Sequence, residues 1–300
     1  MSDRLLVAVD MDGTLVDSEA EDRLRPREIA ALDAVRAAGH VVAICTGRNR
    51  RSLDSLLDHS AWHPADLPKV MLNGAVVDGG AGHGVLSLNV VSRGVVARII
   101  ELFREHGAVP MVYAAEADGG GLLCEDAPVN SVMARYLDHR RHRVGALACH
   151  RDLSAVLPEA AMEVGTIDLR EVIDPLTAAV RRELGDQVRV INTRSLLGEG
   201  RYYWAEVYHH ACSKGTGVRQ LAATFGVPAA RVVAIGDNFN DLDMFAEAAV
   251  SVAMSDGPGE VQALADRLAG PVTESGAAVV LEDIAAGRFA LPDPADEETA

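Results

Sequence analysis

Four short apolar runs, Leu5 to Val9, Val41 to Cys45, Val70 to Leu72 and Val232 to Ile235, each end directly on a polar residue or cluster. They are rich in Val, Ile and Leu and show no alternation, the pattern of strands buried on both faces of a parallel sheet. Between the first two lies Pro26 to Ala38, with Ile29, Leu32 and Val35 at helical spacing, Pro26 at the first position and Gly39 just past the end. That is a strand, helix, strand unit. Gly215 to Phe225, closed by Gly226 and Pro228, reads as another helix, and Asp241 to Glu247 as a third leading to the run Val250 to Ala253. The expected fold class is α/β, with a doubly wound parallel sheet.

The middle of the chain has another texture. From about Val85 to Tyr208 the runs alternate or mix (Leu86 to Val90, Val109 to Tyr113, Val188 to Ile191, Tyr202 to Val207), with helices expected at Val95 to His106 and Pro175 to Leu184. Such segments suit an antiparallel sheet with helices packed on one face. A length of 300 residues exceeds what one core usually serves, so two domains are expected. The glycine-rich stretch Asp78 to Gly84 reads as the hinge, which divides the chain into a core of 1–82 and 209–300 and an insert of 83–208. Gly119-Gly120-Gly121 reads as a loop within the insert, and the acidic end, Asp293 to Ala300, as a frayed tail.

Charge narrows the partners. Lys and Arg number 28 against 44 Asp and Glu, a net charge of −16, which repels polyphosphate backbones and anionic lipid. Neither nucleic acid nor membrane is expected as a partner, and the apolar start of the chain is too short for a signal-peptide core or a bilayer span. Cys45, Cys124, Cys149 and Cys212 form no C-x-x-C pair or zinc-like grouping. They read as reduced thiols of a cytoplasmic protein. Oligomeric state is left open by the sequence.

In an open parallel sheet the carboxyl ends of the strands form the rim where ligands bind. That rim would gather Asp10, Asp12, Asp237 and Asp241, which repel one another unless a cation or protons neutralise them. A hard divalent cation with oxygen ligands, most simply Mg²⁺, resolves the conflict. Phosphoryl transfer explains the grouping: Asp10 can attack phosphorus to give an aspartyl phosphate. Asp12 can donate a proton to the leaving oxygen and later take one from water. The pair needs opposite protonation states, with Asp10 ionised beside Mg²⁺ and lysine and the proton pushed toward Asp12. Thr46 would offer a hydroxyl to the phosphoryl oxygens and Lys214 a positive charge. Only two of the 28 basic residues are lysine, Lys69 and Lys214, so a lysine just ahead of a helix suggests a site that wants a compact point charge.

With these residues in place the chain resembles the haloacid dehalogenase superfamily of phosphatases, and within it the Cof-type subgroup. It shows the four family motifs in order: Asp10-Met11-Asp12-Gly13-Thr14-Leu15, Thr46-Gly47-Arg48, Lys214 in Ser-Lys-Gly, and Gly236-Asp237-Asn238-Phe239-Asn240-Asp241. Asn73-Gly74-Ala75 and Ala253-Met254 also resemble the subgroup. The resemblance implies a Rossmann-like core with an α/β cap inserted between the second and third motifs, where selectivity would lie. It implies Asp10 as nucleophile and Mg²⁺ ligand, and Asp12 as general acid/base that also gives the metal its backbone carbonyl. Asp237 would be the second metal carboxylate, with Asn240 and Asp241 in support. Thr46, Gly47, Lys214 and Asn240 would bind the substrate phosphate. The expected activity is Mg²⁺-dependent hydrolysis of a small phosphorylated metabolite: a sugar phosphate, a nucleotide or a cofactor phosphate.

Other features read as structural. Asp-Gly alone is a turn signal, and Thr46 alone could cap a helix. Arg48 reads as a solvated or helix-start residue. Adjacent strand residues such as His209 and His210 point to opposite faces and would not share a metal. Tyr202, Tyr203 and Trp204 suit packing of the insert's sheet, and Arg140-Arg141-His142-Arg143 a solvated face. The rival readings are a sugar phosphomutase on the same fold and a non-catalytic metabolite sensor. No G-x-G-x-x-G, G-x-x-x-x-G-K, G-x-S-x-G or H-E-x-x-H motif is present.

Overall fold

The computed structural model describes residues 3–18, 20–115, 121–145, 147–195 and 197–292. Gly119 and Gly120 of the expected loop and the acidic end 293–300 lie outside the described residues. The chain divides into two compact units, Met1–Ser87 with Ser213–Ala300, and Leu88–Cys212.

Strands β1 (Leu6–Val9), β2 (Val41–Cys45), β3 (Lys69–Met71), β4 (Val76–Asp78) and β5 (Val85–Leu88) open the first unit, with helices α1 (Pro26–Ala37) and α2 (Arg50–His59) between them. The second unit holds β6 (Val91–Ser92), α3 (Arg93–Glu105), β7 (Met111–Ala114), β8 (Leu122–Glu125), α4 (Ser131–His139), β9 (Leu147–His150), β10 (Ala160–Leu169), α5 (Arg170–Leu184), β11 (Val188–Arg194) and β12 (Tyr202–His209). The chain then returns to the first unit with α6 (Lys214–Phe225), β13 (Val232–Gly236), α7 (Leu242–Phe245), β14 (Val250–Met254), α8 (Gly259–Gln262), β15 (Arg267–Ala269) and α9 (Gly276–Ala285).

In the first unit the strand order is β15-β14-β13-β1-β2-β3-β4-β5. Neighbours from β15 through to β3 run parallel, and β4 turns antiparallel to β3. Every residue of β1, β2, β13 and β14 is buried, which is why these strands read as unbroken apolar runs. β1 lies between β2 and β13, so the chain winds outward from it in both directions. The carboxyl ends at that reversal form the crevice of a doubly wound sheet. Helix α6 is set by its ends: Ser213 caps it in a reciprocal box with Thr216, and Gly226 takes the left-handed conformation at its close.

Three expectations are corrected here. The stretch Asp78 to Gly84 is no hinge. The Gly79 N–H donates to the Gly84 carbonyl at 2.8 Å, and the turn returns the chain as β5 beside β4 in the first unit's own sheet. The units therefore divide after residues 87 and 212 rather than after 82 and 208. β5 is an edge strand with no buried residue, so its composition resembles the mixed runs that follow. Secondly, α5 begins at Arg170, five residues before Pro175. The proline removes only one hydrogen bond near the start of a helix whose buried Ile173 and Leu176 hold it to the sheet. Thirdly, helices cover both faces of the second unit's sheet.

That sheet has the order β11-β12-β10-β7-β8-β9, with β6 on β10, and is antiparallel except for the β8–β9 pair. Residues of α3 and α5 pack with Val164 and Val207 on one face. Val132, Met133 and Leu137 of α4 pack with Met111, Tyr113 and Ile167 on the other. β12 ends at His209, so strand alternation does not reach His210, and the two imidazoles lie with centroids 4.1 Å apart.

The turn Leu72 to Gly74 packs against the start of α6. Gly74 has φ +97°, and a Cβ there would fall on the Ser213 carbonyl oxygen. Gly74→Ala is expected to lower the unfolding free energy by about 3 kcal/mol, from combined backbone strain and overlap. Gly94→Ala in α3, where a Cβ meets nothing within 4 Å, serves as the control and is expected to be neutral or stabilising by up to ~1 kcal/mol. Denaturant unfolding of both variants checks the difference; equal effects would contradict the packing.

Candidate active site

Asp10 follows β1 directly, and its N–H donates to the Ile235 carbonyl of β13 at 2.9 Å, which joins the first and fourth motifs at the strand ends. Gly13, at φ +87°, lets the turn after β1 close over Asp237; a Cβ at this position would lie 2.5 Å from Asp237 Oδ2. Thr14 Oγ1 donates to Asp237 Oδ1 at 3.0 Å. The Lys214 side chain is fully buried, and its Nζ donates to Asp10 Oδ1 and Asp241 Oδ1, both at 2.6 Å. The other oxygen of Asp241 accepts the backbone N–H groups of Asp237 and Asn238, each at 2.9 Å. Asp241 thus ties the fourth motif's turn to the lysine.

The second motif joins the same rim. Thr46 is fully buried, its N–H donates to the Val70 carbonyl at 2.8 Å, and its Oγ1 accepts from the Arg48 N–H at 3.0 Å. The Thr46 carbonyl accepts from the Asn73 N–H at 3.1 Å. Asn240 Nδ2 donates to Asn73 Oδ1 at 2.9 Å, while Asn240 Oδ1 is buried without a hydrogen-bond partner among the described residues. Gly47 lies alongside, where a Cβ would sit 3.5 Å from Asn73 Nδ2. The structure therefore brings the sequence-derived residues of all four motifs into the first unit.

Asp10, Asp237 and Asp241 are buried and offer carboxylate oxygens all within 4.8 Å of one another. Burial, and then the charge of Asp241, push the Asp10 carboxyl up to about 7, against the pull of Lys214. Burial, Asp10 and Asp241 likewise raise Asp237 well above the carboxylate range. Burial opposes the Lys214 charge, but Asp10 and Asp241 outweigh it and hold the amine protonated. Three carboxylates around one ammonium leave excess negative charge among oxygen donors. Asp10 Oδ2 and Asp237 Oδ2 accept no hydrogen bond from another described residue. This donor set fits a hard divalent cation.

Asp12 sits in a different environment. Arg48 grips it with Nε to Oδ2 at 2.7 Å and Nη2 to Oδ1 at 2.5 Å, the Ser18 hydroxyl donates to Oδ1, and the same Arg48 Nη2 reaches Asp22 at 2.6 Å. Burial alone would raise Asp12, but the Arg48 guanidinium outweighs it and holds the carboxyl below its usual value. Within the protein's own charges, Arg48 therefore favours the ionised form of Asp12 while burial favours the protonated form of Asp10, and the expected ionisation of Asp10 calls for the cation as well as Lys214. Arg48 is therefore no solvated helix-start residue: its side chain is 13% exposed and bridges two carboxylates, while Asn49 caps α2. Ser18, Asp22, Thr14 and Asn73 also join the site. The contacts of Thr14, Ser18 and Asp22 depend on how the segment after β1 folds back, and those of Asn73 on the turn after β3, which motif spacing does not reveal.

A separate polar cluster is buried in the second unit. Tyr208 donates to Glu206 Oε1 at 2.9 Å and Thr193 to Oε2 at 3.1 Å. Gly165 leaves room for Glu163, since a Cβ there would lie 2.8 Å from Glu163 Oε1. The Tyr113 and Tyr136 hydroxyls are hydrogen-bonded to each other, and the Arg140 guanidinium lies 5.4 Å from the Tyr113 ring centroid. Arg140, expected on a solvated face, is buried. Burial, and then Glu206, raise Glu163 well above the carboxylate range, with Tyr208 and Arg140 pulling the other way.

The haloacid dehalogenase-like hydrolase family model matches residues 7–281. The 5-amino-6-(5-phospho-D-ribitylamino)uracil phosphatase YitU of Bacillus subtilis (strain 168) is 26% identical over 287 residues, 93% of this chain and 96% of that protein. The pyridoxal phosphate phosphatase YbhA of Escherichia coli (strain K12) is 26% identical over 290 residues, 89% of this chain and 94% of that protein. A crystal structure of a haloacid dehalogenase-like hydrolase from Bacteroides thetaiotaomicron superposes with a TM-score of 0.75 at 21% identity, covering 94% of this chain and 99% of that one. That likeness concerns the fold.

The buried Glu163 makes stability depend on pH. The unfolded chain releases this proton near the usual glutamate value of 4.5, whereas the folded protein retains it. Folding therefore takes up a proton, and the contribution of Glu163 to stability falls as pH rises from that value toward the raised one. Glu163→Gln is expected to flatten the decline of the unfolding midpoint between about pH 5 and 8. Calorimetry across that range checks it, and an unchanged slope would contradict the assignment.

Proposed function

The chain belongs to the haloacid dehalogenase-like hydrolases, and from that membership we propose that it is a cytosolic, Mg²⁺-dependent phosphatase of small phosphorylated metabolites. The observation that carries the reading is the buried Lys214 bridging Asp10 and Asp241 beside Asp237. The names of the ribitylaminouracil phosphatase and the pyridoxal phosphate phosphatase support a small phosphate ester as substrate. Among the described residues no helix is long and apolar enough to cross a membrane.

Asp10, Asp237 and the backbone carbonyl of Asp12 would hold Mg²⁺, which when bound neutralises charge on the phosphoryl oxygens and on the carboxylates. Asp10 attacks phosphorus through a carboxylate oxygen, and the leaving alcohol departs as the aspartyl phosphate forms. Lys214 and the Thr46 hydroxyl stabilise charge on the phosphoryl oxygens. Gly47 offers close backbone approach, and Asn240 directs its amide from beside Asn73. Water then attacks the same phosphorus and returns Asp10 as carboxylate. Asp12 serves as general acid in the first step and base in the second. Arg48 engages both of its oxygens and lowers its proton affinity, so both roles require the carboxyl to leave Arg48, and the acid role requires it to take up a proton as well.

We assign leaving-group selectivity to the unit Leu88–Cys212. All four motifs belong to the other unit, and none of the residues proposed for phosphoryl transfer lies in this one.

Against a panel of sugar phosphates, nucleotides and cofactor phosphates, the purified protein is expected to release inorganic phosphate with Mg²⁺ and to lose the activity with EDTA. Asp10→Asn is expected to reduce turnover by at least ~10³-fold while leaving the circular dichroism spectrum unchanged. Near-normal activity of this variant would overturn the nucleophile assignment. Isomerisation of a sugar phosphate without phosphate release would show a mutase instead.

A further inference from the structure

Outside the site just described, two thiols face each other. Cys124 of β8 and Cys149 of β9 are register partners on adjacent parallel strands. Neighbouring strands lie about 4.8 Å apart, within the Cα separation of about 4.4–6.8 Å that a disulfide spans. Register partners project to the same face, and burial, followed by the neighbouring Cys149, pushes the Cys124 thiol up to about 12. Their accessibility differs. Cys124 is buried in the cluster beneath α4, whereas Cys149 is exposed on the edge strand. Arg141 Nη2 lies 4.0 Å from Cys149 Sγ, so a guanidinium faces the exposed sulfur. Cys45 and Cys212 are both buried, and neither has a cysteine as register partner.

We propose that Cys124 and Cys149 form a reversible disulfide on exposure to hydrogen peroxide, with Cys149 reacting first and Cys124 resolving it. The Cys149 sulfur attacks one peroxide oxygen and the O–O bond breaks. The departing hydroxide leaves as water with the thiol proton, and Cys149 becomes a sulfenic acid. The Cys124 sulfur then attacks the Cys149 sulfur, the S–S bond forms, the S–O bond breaks, and a second water carries away the oxygen and the Cys124 proton. A dithiol reverses the result by supplying two electrons and two protons. In a reducing cytosol the bond is transient. It ties together the ends of the segment that contains α4, Tyr136 and Arg140, the residues that lie against the buried cluster of Tyr113 and Glu163.

The test uses the full chain. The protein is treated with graded hydrogen peroxide, free thiols are alkylated after denaturation, and the peptides are mapped by mass spectrometry with and without dithiothreitol. The expected result is a Cys124–Cys149 linked peptide that accumulates with dose and disappears on reduction, while Cys45 and Cys212 remain alkylatable. Cys149→Ser is expected to slow loss of the Cys124 thiol by about tenfold or more, since its buried sulfur meets peroxide poorly. Arg141→Ala, which keeps both thiols, is expected to slow the first step and leave the linked product the same. Two outcomes would overturn the proposal. One is Cys149 advancing to sulfinic acid while Cys124 stays a free thiol in the unaltered protein. The other is both thiols persisting at peroxide doses that oxidise exposed methionine.

Discussion

One ammonium group, Lys214 Nζ, donates to Asp10 and Asp241 at 2.6 Å each with no exposure of the lysine side chain, and the rest of the site is arranged around it. A buried charge survives only with compensating partners held in good geometry. The fold supplies that geometry from three directions. β1 delivers Asp10, and the turn after β13 delivers Asp241 while using that carboxylate to hold its own backbone. The Ser213 cap starts α6 at the lysine itself. The left-handed Gly74 allows the neighbouring turn to press against Ser213, so the position of the lysine is also a matter of backbone packing.

This arrangement leaves the lysine satisfied and the carboxylates not. Asp10 and Asp237 carry raised proton affinity because burial and mutual repulsion exceed what a single lysine can offset. Arg48 plays the opposite part for Asp12, whose ionised form it favours while also bonding Asp22. Two aspartates two residues apart thus sit in contrasting environments, one short of positive charge and one supplied with it. A cation at the first would relieve the imbalance, and release of Arg48 would be needed at the second for proton donation.

Much of this was legible in the sequence because burial writes itself into composition. Strands covered on both faces can contain little but Val, Ile, Leu and Ala, and the polar residues that end such strands must lie at the rim, which is how Asp10, Thr46 and Asp237 could be placed together. The family resemblance is confirmed by the match over residues 7–281. Edge and turn features were less legible. β5 has no buried residue to mark it as part of the first sheet, and the glycines before it signal a turn and a hinge equally well. Arg48 and Arg140 looked solvated because arginine usually is; only tertiary contacts reveal a guanidinium that bridges carboxylates or lies near a tyrosine ring. The short helix α4 carried too few periodic positions to stand out.

Covalent capture of phosphorus by Asp10 is the step at the centre of the proposed reaction. In a single-turnover experiment with an accepted phosphate ester and Mg²⁺, the mixture is quenched in acid during the first cycle and treated with borohydride, which reduces an acyl phosphate to an alcohol. Homoserine is expected at position 10 in the recovered peptide, in proportion to phosphate bound at the quench. Inorganic phosphate release in that cycle with aspartate at position 10 unmodified at every quench time would contradict it, and would point to direct attack by water.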